Sequence, residues 1–195
     1  METYSENNEN HPIASDQYME IPITQKRGLH DTGVRNVHNV HQYTIGNGAL
    51  KDLPKLLEVQ RCTGESIVFF VDEFFSNDIE FHNRLGVKSE DELVFVSTID
   101  EPTTDYIDSL VTDFHTQDIT SPAAIVGIGG GITMDVAKAV SNLLTNGGKA
   151  EDYQGWDLVK QPGIYKIAIP TLSGTGAEAT RTCVMTNKKT GLKLG

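Results

Sequence analysis

Two glycine-rich turns, each placed directly after a short apolar run, constrain this chain more than any other feature of its sequence. The first is Ala124-Ile-Val-Gly-Ile-Gly-Gly-Gly131-Ile-Thr-Met-Asp-Val-Ala-Lys138 and the second is Ile167-Ala-Ile-Pro-Thr171-Leu-Ser-Gly-Thr-Gly-Ala-Glu178. Consecutive glycines remove every β-carbon where a strand ends and a helix begins, so the backbone can take positive φ there and lie against a ligand. The free N–H groups of the helix's first turn and the positive end of its dipole point at the same place, which makes it an anion site before any side chain is counted. In the second turn Thr171, Ser173 and Thr175 offer hydroxyls, while Gly174 and Gly176 let the main chain approach.

The spacing excludes two familiar phosphate loops. Gly127-Ile128-Gly129 begins like the dinucleotide fingerprint G-x-G-x-x-G, but Ile132 occupies the third glycine position. No Gly-Lys-Ser/Thr run occurs, so the lysine-bearing loop of the P-loop proteins is absent as well. After the first cluster, Val136, Ala137, Val140, Leu143 and Leu144 recur at i, i+1, i+4, i+7 and i+8, one apolar stripe, and Gly147-Gly148 supplies a stop. This predicts a helix over 133–145. Asp135 in its first turn suits the dipole, and it would repel a pyrophosphate, so it is expected either to compensate the dipole or to point toward the reacting end of a ligand.

Further strands are predicted near 40–45, 66–71, 93–97, 124–128, 165–169 and 182–186. Helices are predicted near 49–60 and 103–114, with a short one opening near Ser173, and 73–88 stays ambiguous. Such alternation favours an α/β fold, a mostly parallel sheet flanked by helices. Ligands of these sheets bind beyond the carboxyl ends of the strands, where both glycine turns fall. Asp72 falls there too, after Ile67-Val-Phe-Phe-Val71. An acid in that place serves either the ribose hydroxyls of a nucleotide or an ordinary loop.

The formal net charge of −11 is unevenly spread: residues 72–118 carry 13 acids and 2 bases, whereas 119–195 carry 5 acids and 8 bases. That balance argues against a nucleic-acid partner, which needs clustered Lys and Arg. Cys62 and Cys183 form neither a disulfide framework nor a C-x-x-C pair, no apolar run reaches membrane-spanning length, and the polar, acidic N-terminus resembles no secretory or mitochondrial leader. A cytoplasmic protein is expected. Residues 1–33 read as a disordered polar tail and 34–195 as one nucleotide-binding domain.

At this point the motifs resemble those of the iron-containing (group III) alcohol dehydrogenases of the dehydroquinate-synthase-like fold. Tyr43-Thr-Ile-Gly-Asn-Gly-Ala-Leu50 looks like the family's opening strand and turn, Val71-Asp72 like its ribose-binding strand end, and Glu101-Pro-Thr103 like its Pro-Thr turn. The glycine turns resemble its G-G-G-S-x-x-D-x-A-K and P-T-x-x-G-T-x-x-E signatures. Tyr153-Gln-Gly-Trp-Asp157 and Leu172-Ser-Gly-Thr-Gly-Ala-Glu-Ala179-Thr-Arg are similar to those of 3-deoxy-D-manno-octulosonate (Kdo) 8-oxidases. The Ser173-Gly-Thr-Gly176 run speaks against a dehydroquinate-synthase or glycerol-dehydrogenase relative.

The resemblance implies NAD or NADP as cofactor, NAD favoured, and a small alcohol or aldehyde such as a sugar acid as substrate. It assigns Asp72 to the adenosine ribose and Gly129, Gly130 and Gly131 to the pyrophosphate. Thr171, Leu172, Ser173, Gly174 and Thr175 would line the nucleotide, Thr180, Thr182, Val184 and Lys193 would be more distant contacts, and Asp135 would lie toward the nicotinamide. Ile132 departs from the usual serine, and Glu101 from the usual Asn. The family's Fe²⁺ or Zn²⁺ is held by an Asp, a His four residues later and two further histidines in a helical domain, and no counterpart of that set is found here. The chain is therefore expected to correspond to the N-terminal half of a full-length member, whose homodimer the resemblance allows, with no metal ligand or catalytic residue assigned. Asp78-x-x-x-His82 has the ligand spacing but precedes the glycine turns and has no matching histidine pair, and His38 and His41 would face opposite ways on a strand. The rival expectation is a non-catalytic nucleotide-binding module.

Overall fold

The computed structural model describes residues 40–61 and 65–195. The expected tail, His38 and Cys62 lie outside the described residues. Four strands, β1 (Ile67–Asp72), β2 (Glu92–Val96), β3 (Ala124–Gly129) and β4 (Lys166–Pro170), form one sheet in the order β2-β1-β3-β4, every pair parallel. Around it pack α1 (Leu53–Gln60), α2 (Ile79–Leu85), α3 (Thr104–Thr116) and α4 (Gly131–Asn146). Among the described residues no helix is long and apolar enough to cross a membrane.

The central strands read as unbroken apolar runs because both their faces are covered. From β1, Val68 and Phe70 join Ile125 of β3 and the stripes of α3 and α4 in one apolar cluster. Ile67, Phe69 and Val71 join Val126, Ile128, Leu53, Leu57 and Leu85 in a second cluster. Gly127 belongs to this packing rather than to a ligand site: a β-carbon there would meet Ala137 Cβ at 3.0 Å and Met134 Cα at 3.5 Å. Its lack of a side chain seats α4 against β3.

Arg61 and Asp91 fix the opposite, amino-terminal edge. The guanidinium grips the carboxylate with two hydrogen bonds, 2.7 Å to Oδ1 and 2.5 Å to Oδ2, and Asp91 also accepts the N–H groups of Ile67 at 2.9 Å and Lys88 at 2.8 Å. Burial alone would raise this acid, yet those donors outweigh it and hold Asp91 below its ordinary value of 3.8.

Three expectations need correction. Residues 40–45 form no strand: Tyr43 and Ile45 are exposed, and the segment borders a cavity of about 630 Å³ shared with α1 and β4. The strand expected near 182–186 starts later and stands outside the parallel sheet, since β5 (Met185–Asn187) pairs antiparallel with β6 (Leu192–Leu194) around Gly191 at φ 70°. No helix opens at Ser173, because Gly174 and Gly176 take left-handed φ of 94° and 66° and leave only a single 3-10 turn at Ala177–Ala179. The ambiguous stretch resolves into a 3-10 turn at Glu73–Phe75 followed by α2.

Candidate coenzyme-binding site

The carboxyl edge of the sheet gathers the loops that follow each strand. At the end of β3 the three glycines differ from one another, and of the three Gly129 alone has positive φ. Gly129 has φ 158°, and a β-carbon there would stand 2.6 Å from Thr133 Oγ1, 2.8 Å from Thr133 Cβ and 3.1 Å from Asp72 Cβ. Gly130 precedes α4 with φ −88°, accessible to any residue, and its missing β-carbon spares Leu172 Cδ1 at 3.0 Å. A β-carbon on Gly131 would make only ordinary contact with Thr175, at 3.7 Å.

Those neighbours show that the two glycine motifs meet. The Gly129 carbonyl accepts the Thr171 N–H at 3.0 Å, continuing the β3–β4 ladder by one step, so the second turn is laid beside the first. Thr171, Leu172 and Thr175 thus flank the start of α4, with Leu172 60 % exposed over it. Ser173 and Gly174 are exposed on the same turn.

Asp72 ends β1 next to Gly129. It is buried, and its Oδ1 accepts the Phe74 N–H at 3.0 Å and the Thr98 hydroxyl at 3.5 Å. One oxygen therefore shapes the loop after β1.

Asp135 and Lys138 carry out work that the sequence reading did not give them. Asp135 accepts the Val184 N–H on Oδ2 at 3.0 Å, and its Oδ1 lies 2.8 Å from Lys138 Nζ. The same ammonium donates to the Ala177 carbonyl at 3.2 Å, to Thr180 Oγ1 at 3.3 Å and to the Thr182 carbonyl. Thr180, Thr182 and Val184 are accordingly held against α4, and the ion pair fastens the chain beyond the second turn. Lys138 closes the first glycine motif, but nothing in the linear pattern says that its partners include main-chain carbonyls some forty residues on.

Lys193 lies apart from this group. On β6 it pairs with Glu101 of the β2–α3 loop, which also accepts the Thr186 hydroxyl at 3.2 Å. Lys193 holds the Glu101 carboxyl below its ordinary value. The carboxylate that departs from the family pattern thus has a cation of its own. Beside the Lys138 hub, burial and the Asp135 charge push the Cys183 thiol up to about 11.

Asp78 caps α2 by accepting the Phe81 N–H at 2.9 Å, and His82 Nε2 lies 2.7 Å from the Phe75 carbonyl. Among the described residues no three His, Cys, Asp or Glu side chains converge as an ion would require.

A family model described as iron-containing alcohol dehydrogenase matches residues 41–195. The chain belongs to the iron-containing alcohol dehydrogenase family. Within this family it is 46 % identical over 71 residues to the sulfoacetaldehyde reductase of Bilophila wadsworthia, a match covering 36 % of this chain and 18 % of that one. It is 42 % identical over 71 residues to the NAD-dependent methanol dehydrogenase of Bacillus methanolicus, covering 36 % of this chain and 19 % of that one. The crystal structure of the sulfoacetaldehyde reductase of Bifidobacterium kashiwanohense in complex with NAD⁺ superposes with a TM-score of 0.64 at 25 % identity, over 76 % of this chain and 39 % of that one. The chain therefore spans well under two thirds of the length of the relatives it matches.

Proposed function

We propose that this chain is the coenzyme-binding portion of an NAD(P)-dependent alcohol dehydrogenase, with NAD preferred. The observation that carries the reading is the contact of the two glycine turns, Gly130 against Leu172 and Gly131 against Thr175, beside the first N–H groups of α4. A turn that contributes no side chains of its own, at the positive end of a helix, fits a pyrophosphate. Gly129, Gly130 and Gly131 would hold the pyrophosphate, Thr171, Leu172, Ser173, Gly174 and Thr175 would line the nucleotide, and Asp72 would take the ribose hydroxyls. Asp72 would also repel a 2′-phosphate, the reason for favouring NAD. Thr180, Thr182 and Val184 would act from the strap that Asp135 and Lys138 hold down. Lys193 would reach the nucleotide on leaving Glu101. A bound nicotinamide supplies the hydride acceptor or donor; the chain's own residues bind and orient it.

The substrate we propose is a sugar-acid alcohol such as Kdo, oxidised at C8. Supporting it, the two stretches that resemble Kdo 8-oxidases lie together: Arg181 Nη1 is 3.1 Å from Asp157 Oδ1, and its guanidinium carbon is 5.7 Å from the Trp156 ring centre. Titration calorimetry with NAD⁺ and NADP⁺ tests the coenzyme reading, and silence from both up to millimolar concentration overturns it. Kdo titrated into the NAD⁺-saturated chain, with sulfoacetaldehyde as comparison, tests the substrate. Heat from the comparison alone removes Kdo.

A further inference from the structure

Thr133 lies in the first turn of α4 at 0 % exposure, yet its Oγ1 has no hydrogen-bond partner among the described residues. A threonine inside a helix commonly returns its hydroxyl to the carbonyl four residues back. Here that carbonyl is Gly129's, and it accepts the Thr171 N–H instead. Buried polar groups are nearly always paired, so an orphan of this kind points to a partner that arrives later.

The hydroxyl faces the glycine turn. Its Oγ1 is 2.6 Å from the place where a β-carbon of Gly129 would stand, and Asp72 Cβ is 3.1 Å from that same place. Across Gly129–Thr133 it is also the sole side-chain hydrogen-bonding group, because three residues are glycine and Ile132 packs against the apolar cluster beneath α4.

We propose that Thr133 is a further dinucleotide-binding residue, whose hydroxyl donates to a pyrophosphate oxygen seated on the Gly129–Gly131 turn. This rests on the coenzyme-binding reading above. The pyrophosphate is the fitting group because the hydroxyl shares the turn with the unbonded N–H groups of α4, which favour an anion. The Asp72 carboxylate, by contrast, has Oδ1 tied to Phe74 in the loop after β1 and to Thr98 in the loop after β2. That placement suits neutral ribose hydroxyls.

The test compares the full chain with Thr133→Val, Thr133→Ala and Thr133→Ser, titrated with NAD⁺, ADP and adenosine, and measures each melting temperature. Thr133→Val is expected to weaken NAD⁺ and ADP about tenfold, the size of one hydrogen bond to a charged group, and to leave adenosine unchanged. Thr133→Ser should bind like the parent. The melting temperature of Thr133→Val should not fall, since the hydroxyl it loses has no partner among the described residues. Unchanged NAD⁺ and ADP affinity in both Thr133→Val and Thr133→Ala overturns the proposal while the coenzyme reading stands. A lowered melting temperature with equal loss of all three ligands, or failure of Thr133→Val to fold, also overturns it by showing a structural hydroxyl. If the parent chain binds neither NAD⁺ nor NADP⁺, the coenzyme reading fails and the proposal falls with it.

Discussion

Asp135 and Lys138 face each other across one turn of α4 at 2.8 Å, and between them they bind the main chain at Ala177, Thr182 and Val184. With side chains only 16 % and 11 % exposed, the pair is shielded enough for the loss of one member to strand the other's charge. Lys138→Met should therefore lower the unfolding free energy by about 2–3 kcal/mol and open the 177–184 strap to proteolysis. Urea denaturation and limited trypsin digestion check it, and an unchanged midpoint would show that the strap is held by other contacts.

The Gly129 and Gly130 environments predict opposite outcomes for the same added methyl. Gly129→Ala drives a β-carbon into Thr133 and Asp72, which no flexible side chain can relieve, and should cost about 2 kcal/mol or more. Gly130→Ala meets only the end of Leu172 at an unstrained φ and should stay within about 1 kcal/mol of the parent. Denaturation curves for the two variants should separate clearly.

The depressed Asp91 carboxyl gives stability that is fully present above its unfolded value, near 3.8, and is lost as pH falls through the lower folded value. Asp91→Asn should destabilise the protein at pH 7, where it leaves Arg61 unmatched, and should flatten the loss of stability below about pH 4. Denaturant midpoints collected from pH 3 to pH 7 report both effects. An acid limb as steep as the parent's would assign it to other carboxylates.

These contacts show where the sequence was legible and where it was not. The strands β1 and β3 declare themselves as apolar runs because both faces are covered, and the α4 stripe matches the cluster it packs into. The placement of both glycine turns at one edge follows from parallel strands alone. What the pattern could not give were relations across the fold: that Gly127 serves helix packing, that Thr133 is buried with no partner among the described residues, and that Lys138 ties down a strap far along the chain. The segment at 40–45 misleads for a related reason. Val40, Tyr43, Thr44 and Ile45 are residue types that favour strands, but a strand exists only where a neighbour receives its hydrogen bonds.

Glu101 and Lys193 predict a competition. If Lys193 serves a bound dinucleotide, it must leave Glu101, so Glu101→Gln should tighten NAD⁺ binding, most clearly at low ionic strength. Calorimetry at about 20 mM and about 300 mM salt, between which the Debye length shortens roughly fourfold, makes the comparison. Equal affinity for parent and variant at both salts would place Lys193 outside the nucleotide site.

Cys183, pushed up to about 11, stays a thiol at pH 8. Iodoacetamide should modify it much more slowly in the folded protein than after denaturation, because the thiolate is the nucleophile. Peptide mass spectrometry reads the labelling at this position separately from Cys62.

β4 is bonded on one side by β3 and, among the described residues, carries no strand on its other side. A bare strand flank is a template for any extended peptide of suitable length, including the same segment of another molecule. Two residues blunt it. Lys166 opens the strand with a charge, and Pro170 closes it with a nitrogen that has no hydrogen to offer. Ile167 and Ile169 spend their main-chain groups on β3, so between Lys166 and Pro170 it is Ala168 that turns an N–H and a C=O outward, too little for two molecules to hold together by this flank.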